Sequence, residues 1–223
     1  TYIKPCKRGD PNFNECVKQH AVAAIPSLLK GDKEFKIPNL VPFHIDSILL
    51  KPSDNLSIKM KNIVLRGLET AEVRNIIFDL EKKHAHAQLA FKKIVLDGEY
   101  NIDGRILVVP IMGHGPANIV SDNFVVDYSF DYDLVKKEDG KEYIDPNIRT
   151  TTEYTSQKNH YQFDNLFNGD KILGDRINEF LNEHQAELHE DLKGSLSEVI
   201  NSVVTSILKS IIATVPYDEV FVP

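Results

Sequence analysis

The amino-acid sequence predicts one α+β domain in which a long C-terminal helix lies against a curved antiparallel sheet. Three observations lead to this prediction. An N-terminal stretch that begins at Asp10-Pro11 has helical spacing, the middle of the chain from 36 to 163 alternates between apolar and polar residues, and helical spacing returns from 170 to 214. A run of helix, strands and helix in this order is typical of an α+β fold.

Length and composition limit the class of protein. The chain has 223 residues, of which 42% are hydrophobic and 26% are charged, which is typical of a globular domain with a substantial core. Its net charge is −7 and its Lys and Arg residues form no basic stripe. Binding to phosphate groups requires clustered cations, so we expect neither nucleic acid nor an anionic membrane surface as a partner.

Two cysteines, Cys6 and Cys16, are the only ones in the chain. Their spacing fits neither a redox CxxC motif nor a zinc site, which leaves one local disulfide or two free buried thiols. A disulfide would indicate an oxidising compartment. The sequence begins at Thr1 without the features of a signal peptide, so we expect either that a leader has been removed or that the sequence has been trimmed. The glycosylation sequon at Asn55, in a loop-like setting, also agrees with secretion.

The first helix is expected to begin at Asp10-Pro11, because a capping residue followed by proline is a common helix start. Gly31 is its expected end, and Pro26 is expected to kink the helix or to end it earlier. A bond between Cys6 and Cys16 would attach the N-terminal tail to this helix.

The middle of the chain predicts one long antiparallel sheet. Apolar residues alternate from Leu56 to Met60 and resume at Ile63 after one extra residue, which predicts a strand with a bulge. Asp103-Gly104 and Asp139-Gly140 each lie between alternating segments, and this dipeptide is a strong signal for the turn of a hairpin.

The C-terminal helical pattern is too long for a compact globule. A helix of about 45 residues spans roughly 67 Å, whereas a compact chain of this length has a diameter of roughly 45 Å. Either the helix breaks, with Gly194 as the expected position, or the molecule is elongated. From His184 to Leu196 the apolar positions advance by four residues, so the apolar seam winds around the helix as a surrounding sheet requires. Polar residues interrupt the segment 199–215, which argues against a membrane span.

Few residues offer a site for chemistry. His84 and His86 would point to the same side of a strand and could supply two metal ligands, but no third ligand is evident, and a solvated face is the alternative. Asp127 and Asp131 alternate with aromatic residues, which indicates the wet side of a strand. The sequence contains no serine-hydrolase elbow, P-loop or dinucleotide fingerprint. Many aromatic and aliphatic residues fit a hollow apolar interior, and they fit a filled core equally well.

Motifs along the whole chain resemble the Takeout and juvenile hormone-binding protein family of insects. The motifs are Tyr2-Ile3-Lys4-Pro5-Cys6, Asn14-Glu15-Cys16, Gly98-Glu99-Tyr100 with Asp103-Gly104-Arg105, Asn165-Leu166-Phe167-Asn168-Gly169-Asp170, and Val215-Pro216-Tyr217-Asp218. Juvenile hormone-binding proteins commonly carry a second disulfide, which this chain lacks the cysteines to form. The resemblance is therefore to the Takeout branch.

The resemblance implies that residues 1–223 form a single ligand-binding domain with an α-wrap fold of the TULIP type. In this fold a curved antiparallel sheet wraps around the long C-terminal helix and encloses a hydrophobic tunnel. It further implies a secreted carrier without catalytic activity, cofactor or bound metal, for a terpenoid, fatty acid or prenylated lipid. Exchange of ligand with membranes is the alternative. We expect a monomer without stable membrane insertion. The side chains expected to line the tunnel are Leu28, Phe43, Phe78, Leu89, Phe91, Val108, Phe130, Tyr132, Phe180, Leu192, Val203 and Ile207.

Overall fold

The computed structural model describes residues 2–223, and Thr1 lies outside the described residues. The helices are α1 (Phe13–Leu29), α2 (Lys171–Glu183), α3 (Gln185–Ile212) and α4 (Tyr217–Val220). The strands are β1 (Cys6–Lys7), β2 (Phe43–Ser53), β3 (Leu56–Arg66), β4 (Glu72–Asp79), β5 (His84–Ile106), β6 (Val109–Asp131), β7 (Leu134–Lys136), β8 (Glu142–Ile144), β9 (Arg149–Thr155), β10 (Lys158–Phe163) and β11 (Phe221–Val222).

A hairpin of two long strands, β5 and β6, forms the centre of the sheet. Each strand has 23 residues, and their antiparallel pairing runs from Ile106 opposite Val109 to His84 opposite Asp131. The turn of this hairpin therefore lies at 107–108, and the prediction that placed it at Asp103-Gly104 was wrong. The Asp139-Gly140 turn, by contrast, connects β7 to β8 as predicted.

Gly104 has another role than turn formation. Its φ is +138°, and a Cβ at this position would lie 2.0 Å from the carbonyl oxygen of Asn55 in the β2–β3 turn. Only glycine allows this backbone conformation and this close approach without strain. The Asp-Gly dipeptide thus marks a point where two hairpins touch inside the sheet.

The seven-stranded antiparallel sheet changes partners along its length. Its strand order is β10-β6-β5-β3-β2, and β4 and β9 pair with the far halves of β5 and β6. The bulge predicted in the 56–65 segment is confirmed, because the register of β3 on β5 shifts between Lys61 and Val64, where Asn62 has a φ of 51°. Bulges increase the bend and twist of a strand, and the sheet curves around α3 without closing into a barrel.

Helix α3 crosses the open side of the sheet and contacts β2 at one edge and β9 at the other. Two polar contacts fix its position. The Thr152 hydroxyl donates a hydrogen bond to Asn201 Oδ1 at 2.8 Å, and the hydroxyls of Tyr128 and Thr205 are also 2.8 Å apart. The predicted α-wrap, a long C-terminal helix surrounded by a curved antiparallel sheet, is therefore confirmed.

The C-terminal helical region breaks at His184, not at Gly194. His184 has φ −107° and ψ 32°, outside the helical region, whereas Gly194 lies within the uninterrupted α3. Hydrogen bonds between side chains of α2 and the backbone of β10 account for the break. Asn178 bonds both the N–H and the C=O of Phe163 at 2.9 Å, and Asn182 Oδ1 accepts from the N–H of Tyr161 at 2.8 Å. Since α2 follows this strand, the chain must turn before α3 can cross the sheet.

Helix α1 begins at Phe13, two residues after Pro11, the predicted first helical residue. Asp10 Oδ1 accepts a hydrogen bond from the Asn12 N–H at 2.8 Å, so Asp10 stabilises the turn before the helix. The helix also continues through Pro26 to Leu29, contrary to the prediction of an early end. Pro26 and Val22, whose carbonyl loses its helical donor, are both exposed, so water can replace the missing bond.

Both ends of the chain meet beside α1. Cys6 and Cys16 form a disulfide with a sulfur–sulfur distance of 2.04 Å, which confirms the predicted bond and excludes two free thiols. β1 pairs in parallel with β11, Cys6 lying opposite Phe221. The Arg8 side chain donates to the Phe221 carbonyl at 2.6 Å and forms an ion pair with Asp218. The disulfide thus links α1 to a two-stranded ribbon made from the two ends.

Candidate functional site

The interior of the wrap contains a cavity of about 560 Å³. It lies between α1, α3 and the concave face of the sheet, where side chains from β2 to β6, β9 and β10 reach it. Its volume is within the range typical of sites for small organic molecules. The sequence alone did not distinguish a filled core from a hollow interior, and the structure has a hollow interior.

The cavity wall is apolar and carries no full charge. Among the described residues that line it there is no Asp, Glu, Lys or Arg. The polar residues of the wall are His86, Ser121, Tyr128, Tyr154, Asn159, Tyr161 and His189, and of these His86 directs its ring to the opposite face of β5, where it contacts Asp127. An uncharged wall of this kind favours a ligand that loses its hydration shell without needing an ionic partner.

Helix α3 contributes one long side of the wall. Its lining residues are His189, Leu192, Leu196, Val199, Ile200, Val203, Val204, Ile207, Leu208 and Ile211. The helix is also long and apolar enough to cross a membrane by length and composition alone. Its apolar side chains face the cavity, so much of their surface lies against open space inside the molecule and not against other atoms.

The structure brings together most of the side chains expected to line the interior. Those in the wall are Leu28, Phe43, Phe78, Leu89, Phe91, Phe130, Leu192, Val203 and Ile207. Strand alternation accounts for the residues of the sheet, because Ala85, Ala87, Leu89 and Phe91 of β5 all point to the concave side. Whether these residues hold a ligand is part of the function proposed below.

Three predicted lining residues lie elsewhere, and the structure corrects them. Val108 is 80% exposed because it forms the tip of the β5–β6 hairpin. The sequence had predicted this tip at Asp103-Gly104, four residues earlier. Tyr132 follows the end of β6, and its side chain packs beside Tyr217, away from the cavity. Phe180 is in α2, before the break at His184, where it stacks on the His184 ring at 4.2 Å and packs in another part of the core.

Sequence reasoning missed one group of lining residues altogether. Ala21, Ala24 and Ile25 of α1 and Ile45 and Ile48 of β2 belong to the wall. Small alanines on a helix give no signal for a cavity, and Pro42, directly before β2, is a residue that is uncommon in strands and so gives no signal for one.

One part of the wall has hydrogen-bonding capacity that the protein does not use. Tyr154 of β9, Tyr161 of β10 and His189 of α3 line the cavity together, and we call these three side chains the polar end. Tyr154 is 3% and Tyr161 is 8% exposed, and among residues 2–223 neither hydroxyl nor the His189 ring has a hydrogen-bond partner. The Tyr154 and His189 rings meet edge to face with centroids 4.8 Å apart.

Burial keeps the polar end uncharged. Desolvation, with smaller effects of Tyr161 and Glu190, raises the pKa of Tyr154, and desolvation raises the pKa of Tyr161 to about 12. Desolvation also lowers the pKa of His189, more than Glu190 raises it, and Lys193 lowers it further. Near neutral pH the polar end therefore presents two neutral phenols and a neutral imidazole.

Polar neighbours beside the polar end are already paired. The Ser121 hydroxyl donates to Asn159 Oδ1 at 2.7 Å, and the Asn159 side chain also bonds Ser156. The Asn159 N–H donates to Gln185 Oε1 at 2.7 Å, which attaches β10 to the start of α3. These bonds hold the strands that carry Tyr154 and Tyr161 in place against α3.

The histidines considered as metal ligands are occupied by carboxylates. His84 Nδ1 lies 2.7 Å from Asp131 Oδ1, and His86 Nε2 lies 3.1 Å from Asp127 Oδ1, each pair bridging β5 and β6 on a partly exposed face. In the part of the chain that the structure describes, one group has ligand atoms close enough for a metal ion, Cys6, Cys16 and His20. Its two sulfur atoms are bonded to each other and so are not available as thiolates.

The sequon residue Asn55 is exposed in the tight turn between β2 and β3, outside the cavity. Its backbone carbonyl accepts a hydrogen bond from the Arg105 N–H at 2.9 Å, and its side chain is free of that contact. Glycosylation at this position stays a prediction.

Comparison with known proteins gives the family. The family model for haemolymph juvenile hormone binding protein (JHBP) matches residues 1–222, which is almost the entire chain. The chain belongs to the JHBP family. Within that family it is similar to the circadian clock-controlled protein daywake of Drosophila melanogaster, with 29% identity over 98% of this chain and 86% of the relative, and to that of Drosophila yakuba, with 25% identity over 99% and 88%.

A solved structure shows the same fold. Takeout 1 of Epiphyas postvittana superposes with a TM-score of 0.85 at 23% sequence identity, covering 99% of this chain and 100% of that one. The predicted Takeout-type α-wrap is thus confirmed for this JHBP family member, and the predicted resemblance to the Takeout and juvenile hormone-binding proteins is confirmed by the family match.

Proposed function

We propose that residues 1–223 form a single secreted domain that binds and sequesters a small hydrophobic ligand in the internal cavity. The uncharged cavity of about 560 Å³ supports this proposal most directly. Membership of the JHBP family agrees with it, since that family binds hydrophobic ligands. Ligands of the expected class are terpenoids, fatty acids and prenylated lipids, and the cavity would act as a tunnel for the extended chain of such a molecule.

Burial of the ligand would supply the affinity. Each CH₂ group moved from water into the cavity contributes about 0.8 kcal/mol, so a chain of about 15 carbons gains about 12 kcal/mol before the costs of association. Those costs include lost translational freedom and ordering of side chains, and they remove a large share of the gain.

The same wall offers no support for catalysis. Its one serine, Ser121, donates its hydroxyl proton to Asn159 and not to a histidine. His189 contacts the Tyr154 ring, and among residues 2–223 no hydrogen bond joins it to a serine. A nucleophile paired with a base is the usual requirement for hydrolysis, so we propose that the domain binds its ligand without converting it, and without a cofactor.

The disulfide supports secretion. Cys6–Cys16 is stable in an oxidising compartment, and the matching family model is that of a haemolymph protein. The net charge of −7 does not favour binding to nucleic acid, whose phosphate groups are negatively charged. We propose that the protein acts as a monomer and that its partner is a small hydrophobic molecule.

The test is to fill the cavity. Val203 lines the cavity, so Val203→Phe places a ring in the path of a ligand, whereas Ser206→Phe, three residues further along α3, adds the same ring at an exposed position. Displacement of the fluorescent probe N-phenyl-1-naphthylamine and mass spectrometry of organic extracts would report binding. We expect the probe and any co-purifying lipid to be lost in Val203→Phe alone. Equal binding by both variants and the unaltered protein would contradict the proposal.

Exchange of ligand with membranes is a second candidate function for the same cavity. A protein of this kind would transfer a fluorescent lipid between vesicles at a rate that rises with vesicle concentration. A sequestering carrier releases ligand at a rate independent of vesicle concentration, because dissociation into water comes first. Measurement of that rate therefore separates the two functions.

A further inference from the structure

We propose that Cys6, Cys16 and His20 form a redox-dependent site for a thiophilic divalent cation, Zn²⁺ being the ion that fits it. The disulfide is the oxidised, metal-free state of this site, and reduction followed by metal binding replaces one cross-link between β1 and α1 with another. The inference goes beyond the carrier function and does not depend on it, because the three side chains lie outside the wall of the cavity.

The first argument is the position of His20. Its Nδ1 lies 3.4 Å from Cys6 Sγ and 3.7 Å from Cys16 Sγ. Zn²⁺ binds sulfur at about 2.3 Å and imidazole nitrogen at about 2.0 Å in tetrahedral geometry, so a nitrogen and a sulfur ligand of one ion lie about 3.5 Å apart. Both nitrogen–sulfur distances therefore already match those of a zinc site, and only the two sulfurs have to separate.

The second argument concerns the elements that supply the ligands. Cys16 and His20 are four residues apart on α1 and so share one face of the helix, while Cys6 comes from β1. The Cα atoms of Cys6 and Cys16 are 6.0 Å apart. After reduction, rotation of the two side chains about their Cα–Cβ bonds lets the sulfurs move apart without displacement of the backbone.

Both elements have anchors other than the disulfide. β1 pairs with β11, and the Arg8 side chain beside it donates to the Phe221 carbonyl at 2.6 Å. Helix α1 is bonded to β4, because Asn14 Oδ1 accepts a hydrogen bond from the Phe78 N–H at 2.8 Å. These contacts do not involve the sulfur atoms, so we expect the three ligands to stay close together when the disulfide is reduced.

The third argument is charge and access. Two thiolates and a neutral imidazole form an uncharged complex with Zn²⁺, which a partly buried place tolerates. Cys6 is 3% exposed, whereas Cys16 and His20 are partly exposed, so an ion and a small thiol can reach the site from one side. Thiolate and imidazole ligands favour Zn²⁺ over Mg²⁺ and Ca²⁺, and the fourth position of the tetrahedral ion is left to water.

The chemistry balances with a low-molecular-weight thiol as the reductant. The thiolate of one molecule attacks the more exposed Cys16 sulfur, and Cys6 leaves as a thiolate. A second molecule attacks the mixed disulfide, which frees Cys16 and yields the small disulfide. Two thiol molecules thus supply two electrons and two protons, and Zn²⁺ then displaces two protons from the protein thiols. Metal binding and disulfide formation exclude each other, because both use the same two sulfur atoms.

The experiment is a titration with Co²⁺, which takes the same ligands as Zn²⁺ and absorbs visible light when thiolates bind it in tetrahedral geometry. The protein is reduced with a phosphine and freed of the reductant under nitrogen. The disulfide-bonded protein reports any other metal site on the surface. His20→Asn removes the nitrogen ligand, and Cys6→Ser with Cys16→Ser removes both sulfurs. His160→Asn is the matched control, because His160 is an exposed histidine of β10.

We expect the reduced protein to bind one Co²⁺ per chain with thiolate absorption, which Zn²⁺ abolishes by displacement. The disulfide-bonded protein and the double cysteine variant should show no such absorption. Reduced His20→Asn should bind at least about tenfold more weakly than the reduced unaltered protein, whereas His160→Asn should bind equally well. Zn²⁺ should also raise the melting temperature of the reduced unaltered protein more than that of reduced His20→Asn, since an ion that binds the folded state stabilises it.

Two results would overturn the inference. One is a reduced protein without thiolate-bound Co²⁺, and the other is equal affinity of reduced His20→Asn and the reduced unaltered protein. If reduction unfolds α1, metal binding should drive its refolding, so failure of Zn²⁺ to restore the circular dichroism of the disulfide-bonded protein would contradict the site as well. Binding of N-phenyl-1-naphthylamine, measured separately on the disulfide-bonded protein, keeps the test of the carrier function distinct from these results.

Discussion

The hydroxyl groups of Tyr132 and Tyr217 lie 3.2 Å apart in the protein interior and connect the end of the sheet to the C-terminal helix α4. The Arg8 guanidinium lies over the Tyr217 ring, 4.9 Å from its centroid. Three separate parts of the chain, the N-terminal tail, the segment after β6 and α4, thus meet around one buried aromatic ring.

Removal of this hydroxyl pair should lower stability. Tyr132→Phe leaves the buried Tyr217 hydroxyl without its partner, so we expect the free energy of unfolding to fall by about 1 kcal/mol. Tyr143→Phe is the control, because its hydroxyl bonds the exposed Asp139, where water can replace it, and we expect a change below about 0.5 kcal/mol. Urea denaturation measures both values, and an equal loss in the two variants would argue against a structural role for the pair.

Two glycine substitutions should have opposite effects. Gly104→Ala forces a Cβ to within 2.0 Å of the Asn55 carbonyl oxygen at a φ of +138°, so we expect destabilisation by about 2–4 kcal/mol. Gly194→Ala places the methyl group in open space within α3 and should stabilise the protein by about 0.5–1 kcal/mol. Urea denaturation of the pair gives the difference, and a neutral Gly104→Ala would show that the two hairpins can separate without cost.

Loss of the disulfide should have a local effect. The bond closes a loop of 10 residues, for which chain entropy predicts a stabilisation of about 2–3 kcal/mol. In the double variant Cys6→Ser with Cys16→Ser, we expect the sheet and α3 to stay folded, with β1 and α1 less firmly held. Hydrogen exchange, compared with that of the disulfide-bonded natural protein, would locate the change, and faster exchange throughout the sheet would contradict a local role.

The disulfide should also affect ligand kinetics if α1 covers one mouth of the cavity. Ala21, Ala24, Ile25 and Leu28 of α1 line the wall, so a looser α1 should raise the on- and off-rates for the fluorescent probe together and change its affinity less. Stopped-flow fluorescence measures both rates. Unchanged rates in the double cysteine variant would show that ligands enter elsewhere.

His189 should make stability depend on pH in mildly acidic solution. Burial lowers the pKa of His189 below the usual 6.5; Glu190 opposes this shift and Lys193 adds to it. The Tyr154 ring, which packs against the imidazole, carries no charge. The unfolded chain therefore binds a proton more readily than the folded protein. This contribution to stability is complete above about pH 6.5 and is lost as the pH falls through the lowered pKa. His189→Gln should lose less stability than the natural protein between about pH 7 and pH 5, and identical pH profiles would contradict a buried neutral imidazole.

Much of the architecture could be predicted from periodicity. The four-residue steps from His184 to Leu196 predicted a helix surrounded by a sheet, and Leu89 and Phe91, two residues apart on β5, both face the cavity as strand alternation requires. Local patterns determined these features, because a winding seam and a two-residue period each follow from backbone geometry.

Features that depend on contacts distant in the sequence could not be predicted in this way. Val108 was assigned to the wall because Gly104 resembled a turn residue, whereas Gly104 accommodates the Asn55 backbone. The break at His184 follows from bonds between α2 and β10, which no helical pattern reveals. The polar end combines residues of three elements, and no sequence motif connects Tyr154 to His189.

The parallel ribbon of β1 and β11 has a consequence for engineering. Because Cys6 and Phe221 are neighbours on paired strands, the two ends of the described chain are about 5 Å apart there. A short linker can therefore join the ends, and the exposed hairpin tip at Val108 offers a place to open the chain again. The circularly permuted protein would keep the wrap intact. Its new termini would lie at the tip of the β5–β6 hairpin and no longer beside α1, so labels attached to the termini would be at the hairpin tip.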